Sequence, residues 1–399
     1  MSAKQQDELV DRYLAGEERS DKGFEARQAI LAQLERAPEL TDALEKSWRK
    51  KLAKTWERGR ELEKKTGQAY WWEDEERGLY IVGGETKKPK GLLIAMHGGG
   101  AGAGDAWSSH GAYNGAANGL DWVAIYPEVL EKTEHGWTDA GTEEFVLDLV
   151  DAALRTWKLD RDRVYFAGHS MGGYGTWTLG AHHADRVAGL APSAGAPTPI
   201  VDASGAVIGI DEGVIPSLRN VRLVIYQSDD DPQVPPAVNR GAAAELAKAR
   251  EHWGGFDYEY WEVSGQGHGP PPGGYAAQLA KIAEGSRNAH PEKIVWQPVL
   301  AWKRQFHWLW WEKPALKQTV VAEVDRSKNS VKVECPGDAK GLHVLLDPAL
   351  LDLEKEVVVF LGEKEVFRGL AQLRLSTLVR TGVHGDPELT FSSRVPLAP

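Results

Sequence analysis

The pentapeptide GHSMG at residues 168–172 decides how this sequence folds. It follows RVYFA at 163–167, a short apolar segment of strand-forming residues, and precedes GYGTWTL at 173–179, which is typical of the start of a helix. The order strand, tight turn and helix predicts that the Ser170 hydroxyl projects out of a sheet, with a helix N-terminus behind it. The flanking glycines remove side chains that would clash in such a turn.

The region from about residue 67 to 290 alternates strand-like and helix-like segments. The candidate strands are Leu79–Val82, Leu92–Met96, Trp122–Tyr126, Val164–Ala167, Val187–Leu190, Leu223–Tyr226 and Tyr258–Val263. The clearest helix is predicted at 143–157, with Thr142 as its N-cap. Glu143 and Glu144 suit the positive end of its dipole. Near-continuous apolar strands between helices predict an α/β fold, a mainly parallel sheet covered by helices on both faces.

The first 66 residues form a charged segment with one apolar stripe. Residues spaced by four indicate an amphipathic helix: Leu40, Leu44, Trp48, Leu52 and Trp56. We expect this face to pack on the rest of the protein; a partner-binding or dimerising helix is the alternative. The predicted organisation is therefore a helical segment at 1–66 followed by the α/β domain at 67–290.

The segment from 291 to 399 has a different pattern. Short strands separated by turn signals, such as DRSKN at 325–329 and GEK at 362–364, predict a small β-sandwich domain. Four tryptophans mark its start: Trp302, Trp308, Trp310 and Trp311. The alternation Phe306, Trp308, Trp310 puts these rings on one face of one strand, as in a core or a domain interface. A carbohydrate-binding platform is the alternative.

Composition excludes several classes of function. The net charge of −11 argues against a nucleic-acid partner, because phosphate contacts need clustered Lys and Arg. The single cysteine, Cys335, allows no internal disulfide and fits a reducing compartment. The sequence as written carries no apolar signal core and no bilayer-spanning run, so we expect no membrane partner and a cytoplasmic location. A secreted form is the alternative if a signal peptide has been removed, and the oligomeric state stays open.

A serine such as Ser170 needs two further groups to act as a nucleophile: a base that takes its proton and a group that orients the base. In the α/β-hydrolases, which this strand-turn-helix arrangement resembles, the chain order is Ser, then Asp or Glu, then His. His268 lies in the Gly-flanked loop GQGHG after the last predicted strand, so we identify it as the base. The acid is expected after the strand at 223–226. Three adjacent aspartates follow that strand: Asp229, Asp230 and Asp231.

Acyl transfer to a serine also needs donors for the developing oxyanion, mostly backbone N–H groups. The sequence HGGG at 97–100 directly follows the strand at 92–96 and matches a loop that supplies such donors. We therefore expect the amides near Gly98 and Gly99, together with the amide of Met171, to form an oxyanion hole. An ordinary Gly-rich turn is the alternative.

Residues from about 75 to 285 resemble an α/β-hydrolase of the esterase and prolyl-oligopeptidase-like branch, including feruloyl-esterase-like and polyhydroxyalkanoate-depolymerase-like enzymes. The resemblance rests on LDRDRVYFAGHSMGGYGTW at 159–177, DPQVP at 231–235 and GHG at 267–269. In that branch two residues separate the acid from a Val-Pro pair, which implies Asp231, with Asp230 as the alternative acid. The resemblance implies the α/β-hydrolase fold.

Aromatic residues that follow the early strands are candidate substrate contacts. Trp107, Tyr113 and Trp137 lie in segments at the edge where the loops of such a fold line a pocket. His169, beside the serine, is a further candidate. Ordinary loop packing is the alternative for the three aromatic residues.

No metal and no cofactor are expected. The adjacent His182 and His183 have no Asp, Glu or Cys at metal-ligand spacing along the chain. We therefore interpret the pair as a solvated helix end.

The sequence predicts a serine hydrolase that cleaves carboxylic esters, either small molecules or polymer-derived. A serine peptidase with the same triad is one alternative, although the segment before the α/β domain is too short for the β-propeller that prolyl oligopeptidases carry. A catalytically silent binding protein that uses the β-domain is the other. A binding scaffold does not require Ser, Asp and His in this order, which argues against silence.

Overall fold

A computed structural model describes residues 1–17 and 19–398 of the chain; Glu18 and Pro399, which fall within the predicted terminal domains, lie outside the described residues. The helices α1 to α9 are Ala3–Leu14, Asp21–Leu34, Asp42–Glu57, Ala106–Gly119, Thr142–Trp157, Met171–His182, Pro236–Trp253, Gly274–Ile282 and Leu375–Thr381. The strands β1 to β19 are Gly67–Trp72, Arg77–Gly84, Gly91–Met96, Trp122–Pro127, Val164–His169, Gly189–Ser193, Pro199–Val201, Val207–Ile210, Arg222–Ser228, Tyr258–Val263, Lys293–Trp296, Gln305–Phe306, Leu309–Trp311, Val320–Asp325, Ser330–Glu334, Leu342–Leu346, Val357–Leu361, Lys364–Gly369 and Ser393–Pro396.

A compact unit, Arg60–Asn288, is built around an eight-stranded sheet with the order β1-β2-β4-β3-β5-β6-β9-β10. From β4 to β10 all neighbouring strands are parallel, while β1 and β2 are antiparallel additions at one edge. An α-helix connects β3 to β4, β4 to β5, β5 to β6 and β9 to β10, whereas the β7–β8 hairpin lies between β6 and β9. The prediction of an α/β-hydrolase fold with a mainly parallel sheet is confirmed.

Helices cover both faces of this sheet. Successive side chains of a strand point to opposite faces of the sheet, so Leu190 and Ala191 of β6 lie on opposite faces. Ala191 belongs to a buried cluster that includes Leu279 and Ile282 of α8 and several residues of α4. On the other face, the side chain of Leu190 packs so closely on Gly180 of α6 that a Cβ atom there would lie 2.5 Å from it. Strands buried on both faces explain the near-continuous apolar runs in the sequence.

Helix α5 begins one residue away from its predicted start. Gly141, with φ 87°, is the N-cap, and Thr142 is the first helical residue and is buried. Only a residue that tolerates left-handed backbone fits the cap position, so glycine takes the place expected for threonine. The predicted strand at 187–190 also shifts, because β6 runs from Gly189 to Ser193.

The other compact unit joins the two ends of the chain, Met1–Gly59 and Ala289–Pro399. Trp48 and Leu52 of α3 lie in one apolar cluster with Leu378 and Val379 of α9, so the amphipathic helix packs on the C-terminal segment. The stripe is shorter than predicted: Leu40 precedes α3, and Leu44 is 49% exposed.

Two antiparallel-rich sheets make up the C-terminal part of that unit, with the orders β11-β14-β15-β17-β18 and β12-β13-β16-β19. Trp296 of the first sheet stacks on Phe306 of the second at 5.5 Å between ring centroids. Phe306, Trp308 and Trp310 do not share one strand, because the chain turns at His307, with φ 50°, between β12 and β13. Trp308 and Trp310 are buried, which corresponds to packing within this unit and not to an open carbohydrate platform.

Candidate active site

The residues predicted to form the triad meet at one edge of the eight-stranded sheet. Ser170 directly follows β5, Asp231 follows β9, and His268 follows β10. These strands are parallel, so their carboxyl ends lie along the same edge, although the three residues are up to 98 positions apart in the sequence.

Ser170 has a strained backbone conformation in the tight turn at residues 168–172, which we call the elbow. Its φ of 59° and ψ of −123° are unusual for a residue with a side chain. The turn leaves no room beside it: a Cβ atom at Gly168 would lie 2.2 Å from the carbonyl oxygen of Gly172, and one at Gly172 would lie 2.1 Å from that of Met96. The two glycines of the GHSMG motif therefore permit the close approach of backbone that holds the serine at the sheet edge.

The Ser170 hydroxyl faces a histidine and not the helix that it precedes. Ser170 is the N-cap of α6, but its side chain makes no capping hydrogen bond. Its Oγ lies 2.9 Å from Nε2 of His268 instead. The backbone amide of Met171, the first residue of α6, has no partner within the helix, as for any first-turn amide.

His268 bridges Ser170 and Asp231. Its Nδ1 lies 2.8 Å from Oδ2 of Asp231, a carboxylate with no exposed surface. The other carboxylate oxygen accepts hydrogen bonds from the amides of Gln233 at 2.8 Å and Val234 at 3.0 Å. An ionised carboxylate can only accept, so Nδ1–H donates to Asp231 and Nε2 is left to accept the Ser170 proton.

The three adjacent aspartates have different partners. Asp231 contacts the His268 ring. The carboxylate of Asp230, the alternative acid, accepts hydrogen bonds from the amides of Gly265 and Gly267 in the loop before the histidine. Asp229 accepts one from the hydroxyl of Ser264, at 2.6 Å. The imidazole is thus placed against Asp231.

A second histidine lies against the first. The ring of His169 is 4.8 Å from that of His268 and 5.8 Å from that of Tyr275. Burial, and next the charge of His268, lower the pKa of His169 to about 4. His169 is therefore neutral at pH 7, beside a ring that would be charged during proton transfer.

The HGGG segment lies directly beside the elbow. A Cβ atom at Gly98 would lie 3.2 Å from Cβ of Ser170 and 2.9 Å from the carbonyl oxygen of His169. Gly99 has a φ of 143°, and a Cβ atom there would lie 2.3 Å from the carbonyl oxygen of Ala103. Gly98, which is predicted to supply an oxyanion donor, thus places backbone without a side chain next to Ser170.

His97 fixes the HGGG segment, a role that the sequence analysis did not predict for it. The amide of Val129 can only donate, so Nε2 of His97, 3.2 Å away, accepts. The proton of the neutral ring is then on Nδ1, which donates to the carbonyl oxygen of Gly98 at 2.8 Å. Burial lowers the pKa of His97 and favours this neutral form. In the sequence, this role could have been inferred only from the position of His97 at the start of the HGGG motif.

The aromatic candidates for substrate contact fall into two groups. Trp107 is 49% exposed, and its Nε1 donates to Oε1 of Gln68 at 3.0 Å. Tyr113 and Trp137 lie in the interior, with 1% and 0% of their surface exposed. Trp137 donates from Nε1 to the carbonyl oxygen of His97 at 3.2 Å, so it packs beneath the HGGG segment. Only Trp107 of the three presents its ring to solvent.

The interpretation of His182 and His183 as a solvated helix end is wrong. His182 Nδ1 and His183 Nε2 each lie 2.8 Å from Oε1 of Glu143, and all three side chains are at least nine-tenths buried. Burial alone would raise the pKa of Glu143, but the charge and hydrogen bonds of the histidines lower it to about 2. The companion carboxylate is about 40 positions away in the sequence, beyond any local spacing. Within residues 1–17 and 19–398, no group of three His, Cys, Asp or Glu residues could hold a metal ion.

No helix among the described residues is both long enough and apolar enough to cross a membrane.

No protein-family model matches the sequence, and no curated protein matches it significantly. Solved structures similar to about half of the chain include several esterases and a dipeptidyl aminopeptidase IV-like protein from Bacteroides ovatus. One is a thermostable esterase with 19% identity and a TM-score of 0.41 over 53% of this chain, which spans 59% of that esterase. Another is Est1E from Butyrivibrio proteoclasticus, with 16% identity, a TM-score of 0.39 and coverage of 55% of this chain and 97% of that one. An acetyl xylan esterase from Aspergillus awamori has 13% identity, a TM-score of 0.39 and coverage of 55% and 98%.

Proposed function

We propose that this protein is a serine hydrolase that cleaves carboxylic esters of small or polymer-derived substrates. The observation that carries the proposal is the continuous pair of hydrogen bonds at the sheet edge, 2.9 Å from Ser170 Oγ to His268 Nε2 and 2.8 Å from His268 Nδ1 to Asp231 Oδ2. A nucleophile, a base and an orienting acid in one line are the requirements of acyl transfer to serine.

The first half of the reaction forms an acyl-enzyme. Ser170 Oγ attacks the ester carbonyl carbon while His268 Nε2 takes the hydroxyl proton, and Asp231 stabilises the resulting imidazolium through Nδ1–H. The tetrahedral intermediate carries its negative charge on the former carbonyl oxygen. When it collapses, the carbon–oxygen bond to the alcohol breaks, and His268 gives its proton to the departing alkoxide.

Water completes the cycle. His268 takes a proton from a water molecule, which attacks the acyl carbon and forms a second tetrahedral intermediate. Its collapse breaks the bond to Ser170 Oγ, returns the proton from His268 to the serine and releases the carboxylic acid. No cofactor or metal takes part in these steps.

The oxyanion would be bound by backbone amides on two sides of the serine. The amide of Met171 is a free first-turn donor at the positive end of α6. Gly98 brings the HGGG backbone against Ser170, Gly99 follows it, and His97 anchors that segment through Gly98 and Val129. Donors fixed before the reaction stabilise developing charge without reorganisation.

The proposal is tested by replacing the nucleophile. Ser170→Ala deletes one oxygen atom, so we expect hydrolysis of an activated ester such as p-nitrophenyl acetate to fall at least about 10³-fold while the folded state persists. A fluorophosphonate probe should label Ser170 in the wild-type protein and in the control Ser204→Ala, an exposed serine in the β7–β8 turn.

Two results would contradict the proposal. One is ester hydrolysis that survives Ser170→Ala, and the other is a probe adduct on another serine. A wild-type protein that neither reacts with the probe nor turns over any ester or aminoacyl amide would support the silent binding protein. A panel of acyl chain lengths, aromatic esters and aminoacyl amides separates the esterase from the peptidase, which would use the same triad.

A further inference from the structure

Side chains at the end of strand β9 bind the backbone of the turn that precedes His268. Asp230 Oδ1 accepts hydrogen bonds from the amide of Gly265 at 3.2 Å and from the amide of Gly267 at 3.0 Å. The amide between them, that of Gln266, donates to Oγ of Ser228 at 3.2 Å. The Ser228 hydroxyl in turn donates to Asp230 Oδ1. Three successive amides before the histidine are therefore bound by two side chains of one neighbouring segment.

The backbone of this turn has one hydrogen bond of its own, from the amide of Gly269 to the carbonyl oxygen of Gln266 at 2.9 Å. Gly265 has a φ of 78° and Gly267 a φ of 53°, both in the left-handed region that glycine visits freely. Glycine also retains the most freedom in the absence of fixed contacts. The acceptors that bind the amides of residues 265–267 therefore restrict the backbone immediately before His268, as in the backbone nests that bind anions.

Asp230 is suited to this position because its carboxylate is an ionised acceptor. Its hydrogen bonds, from Ser228 first and then from Gly267, lower its pKa. Asp230 is exposed, so water competes for the same amides, and its contribution is expected to be moderate. Each of the three hydrogen bonds from Ser228, Gly265 and Gly267 ends on Oδ1, so an asparagine could reproduce them with its amide oxygen.

We propose that Asp230 is a positioning residue for His268: it fixes the 265–267 turn so that the imidazole reaches Ser170 and Asp231 together. This inference rests on the proposed function. Asp230 does not touch the reacting atoms and acts only through the backbone before the base. A small displacement of that backbone would lengthen both hydrogen bonds of the imidazole, 2.9 Å and 2.8 Å.

The test compares three variants in the full chain, with p-nitrophenyl acetate as substrate. Asp230→Ala should lower kcat about tenfold, because a base displaced by a fraction of an ångström transfers the proton less well. Its KM should stay within about twofold of the wild-type value, because the proposal assigns the turn to the base and not to substrate binding. Asp230→Asn should restore kcat to within about threefold of wild type, because the acceptor returns without the charge.

Asp229→Ala is the matched control. It removes the same charge from the adjacent position, and its carboxylate contacts the Ser264 hydroxyl and not the 265–267 amides. We expect its kcat to stay within about twofold of wild type. Equal losses for Asp229→Ala and Asp230→Ala would overturn the proposal, as would an Asp230→Asn variant as slow as Asp230→Ala, since charge and not hydrogen bonding would then be responsible.

A second readout follows the base directly. In wild type and Asp230→Asn, the far-downfield proton resonance of the His268–Asp231 hydrogen bond should be visible by NMR, and in Asp230→Ala it should broaden or disappear. An unchanged resonance in Asp230→Ala would overturn the proposal even if the variant were slower or less stable. Failure of the proposed function is distinguishable, because then Ser170→Ala would retain the wild-type activity in the same assay.

Discussion

Each end of helix α6 lies beside a histidine that contacts a buried carboxylate, but the two arrangements differ in what the histidine contacts next. At the N-terminal end, His268 has Asp231 on one ring nitrogen and the Ser170 hydroxyl on the other. At the C-terminal end, His182 and His183 both donate to the same oxygen of Glu143. The first carboxylate orients one ring towards the proposed nucleophile, and the second anchors two histidine rings at the end of the neighbouring helix.

The difference shows that a buried histidine–carboxylate pair does not by itself indicate catalysis. The Glu143 cluster lies in the interior between the first turn of α5 and the last turn of α6, and it fixes these two helices together. The Asp231 cluster lies where parallel strands end, and its serine is held in a strained backbone conformation. A third group with a reactive hydroxyl, placed at an accessible sheet edge, separates the proposed active site from the structural site.

The largest expected effect is on turnover at the N-terminal end. Asp231→Asn should lower kcat about 10⁴-fold, because an asparagine amide favours the wrong tautomer of His268. The same change at Glu143, Glu143→Gln, should leave kcat within about threefold of wild type, because no reacting group contacts it. Steady-state kinetics of the two variants on one activated ester measure the contrast. A loss at Glu143→Gln equal to that at Asp231→Asn would remove the distinction between the two ends.

The second effect is on stability at the C-terminal end. Glu143→Gln leaves two buried histidines without their ionised partner, so we expect a loss of about 3 kcal/mol in the free energy of unfolding at pH 7, measured by urea denaturation. Glu144→Gln is the control, because it removes the same charge from the same helical turn at a half-buried position. A Glu144→Gln variant as unstable as Glu143→Gln would attribute the loss to the helix dipole instead of the histidine cluster.

The stabilisation by Glu143 should also depend on pH. Its folded-state pKa, lowered to about 2, is below the value in the unfolded chain. A depressed pKa stabilises the fold above the unfolded value and ceases to do so as pH falls through the folded value. The stability difference between wild type and Glu143→Gln should therefore be large at pH 6 and shrink from about pH 4.5 to about pH 2. A difference that grows on acidification would exclude an ionised Glu143 as its source.

Local patterns predicted one end of α6 and missed the other. The elbow at 168–172 and the His268 loop have signatures within a few residues, since turn geometry and strand ends are local features. The partnership of Glu143 with His182 and His183 has no local signature, because it depends on how α5 and α6 pack. The same reason applies to the three aspartates after β9. The resemblance implied Asp231 with Asp230 as the alternative, but only the fold shows that Asp230 binds the turn before His268.

Long-range packing also determined where the aromatic residues lie. Tyr113 and Trp137 follow strands whose loops could line a pocket, but their rings fill the space under α4 and the HGGG segment. The turn at His307 likewise breaks an alternation that looked like one strand. Position along the chain and local alternation predicted these placements, while the neighbouring element decides whether a ring is buried.

The smallest expected effect concerns the second histidine at the N-terminal end. His169 lies 4.8 Å from His268 but remains neutral above about pH 4, since burial and the charge of His268 lower its pKa to about 4. His169→Gln should therefore keep kcat/KM at pH 7 within about threefold of wild type. Because His169 adds no charge between pH 5 and 8, the variant should also leave the acid limb of the kcat/KM profile unshifted. If replacing His169 shifts this acid limb to higher pH by about one unit, His169 is charged in that range and repels the proton on His268. The two rings would then titrate as a coupled pair, and His169 would have to be counted among the groups that set the basicity of His268.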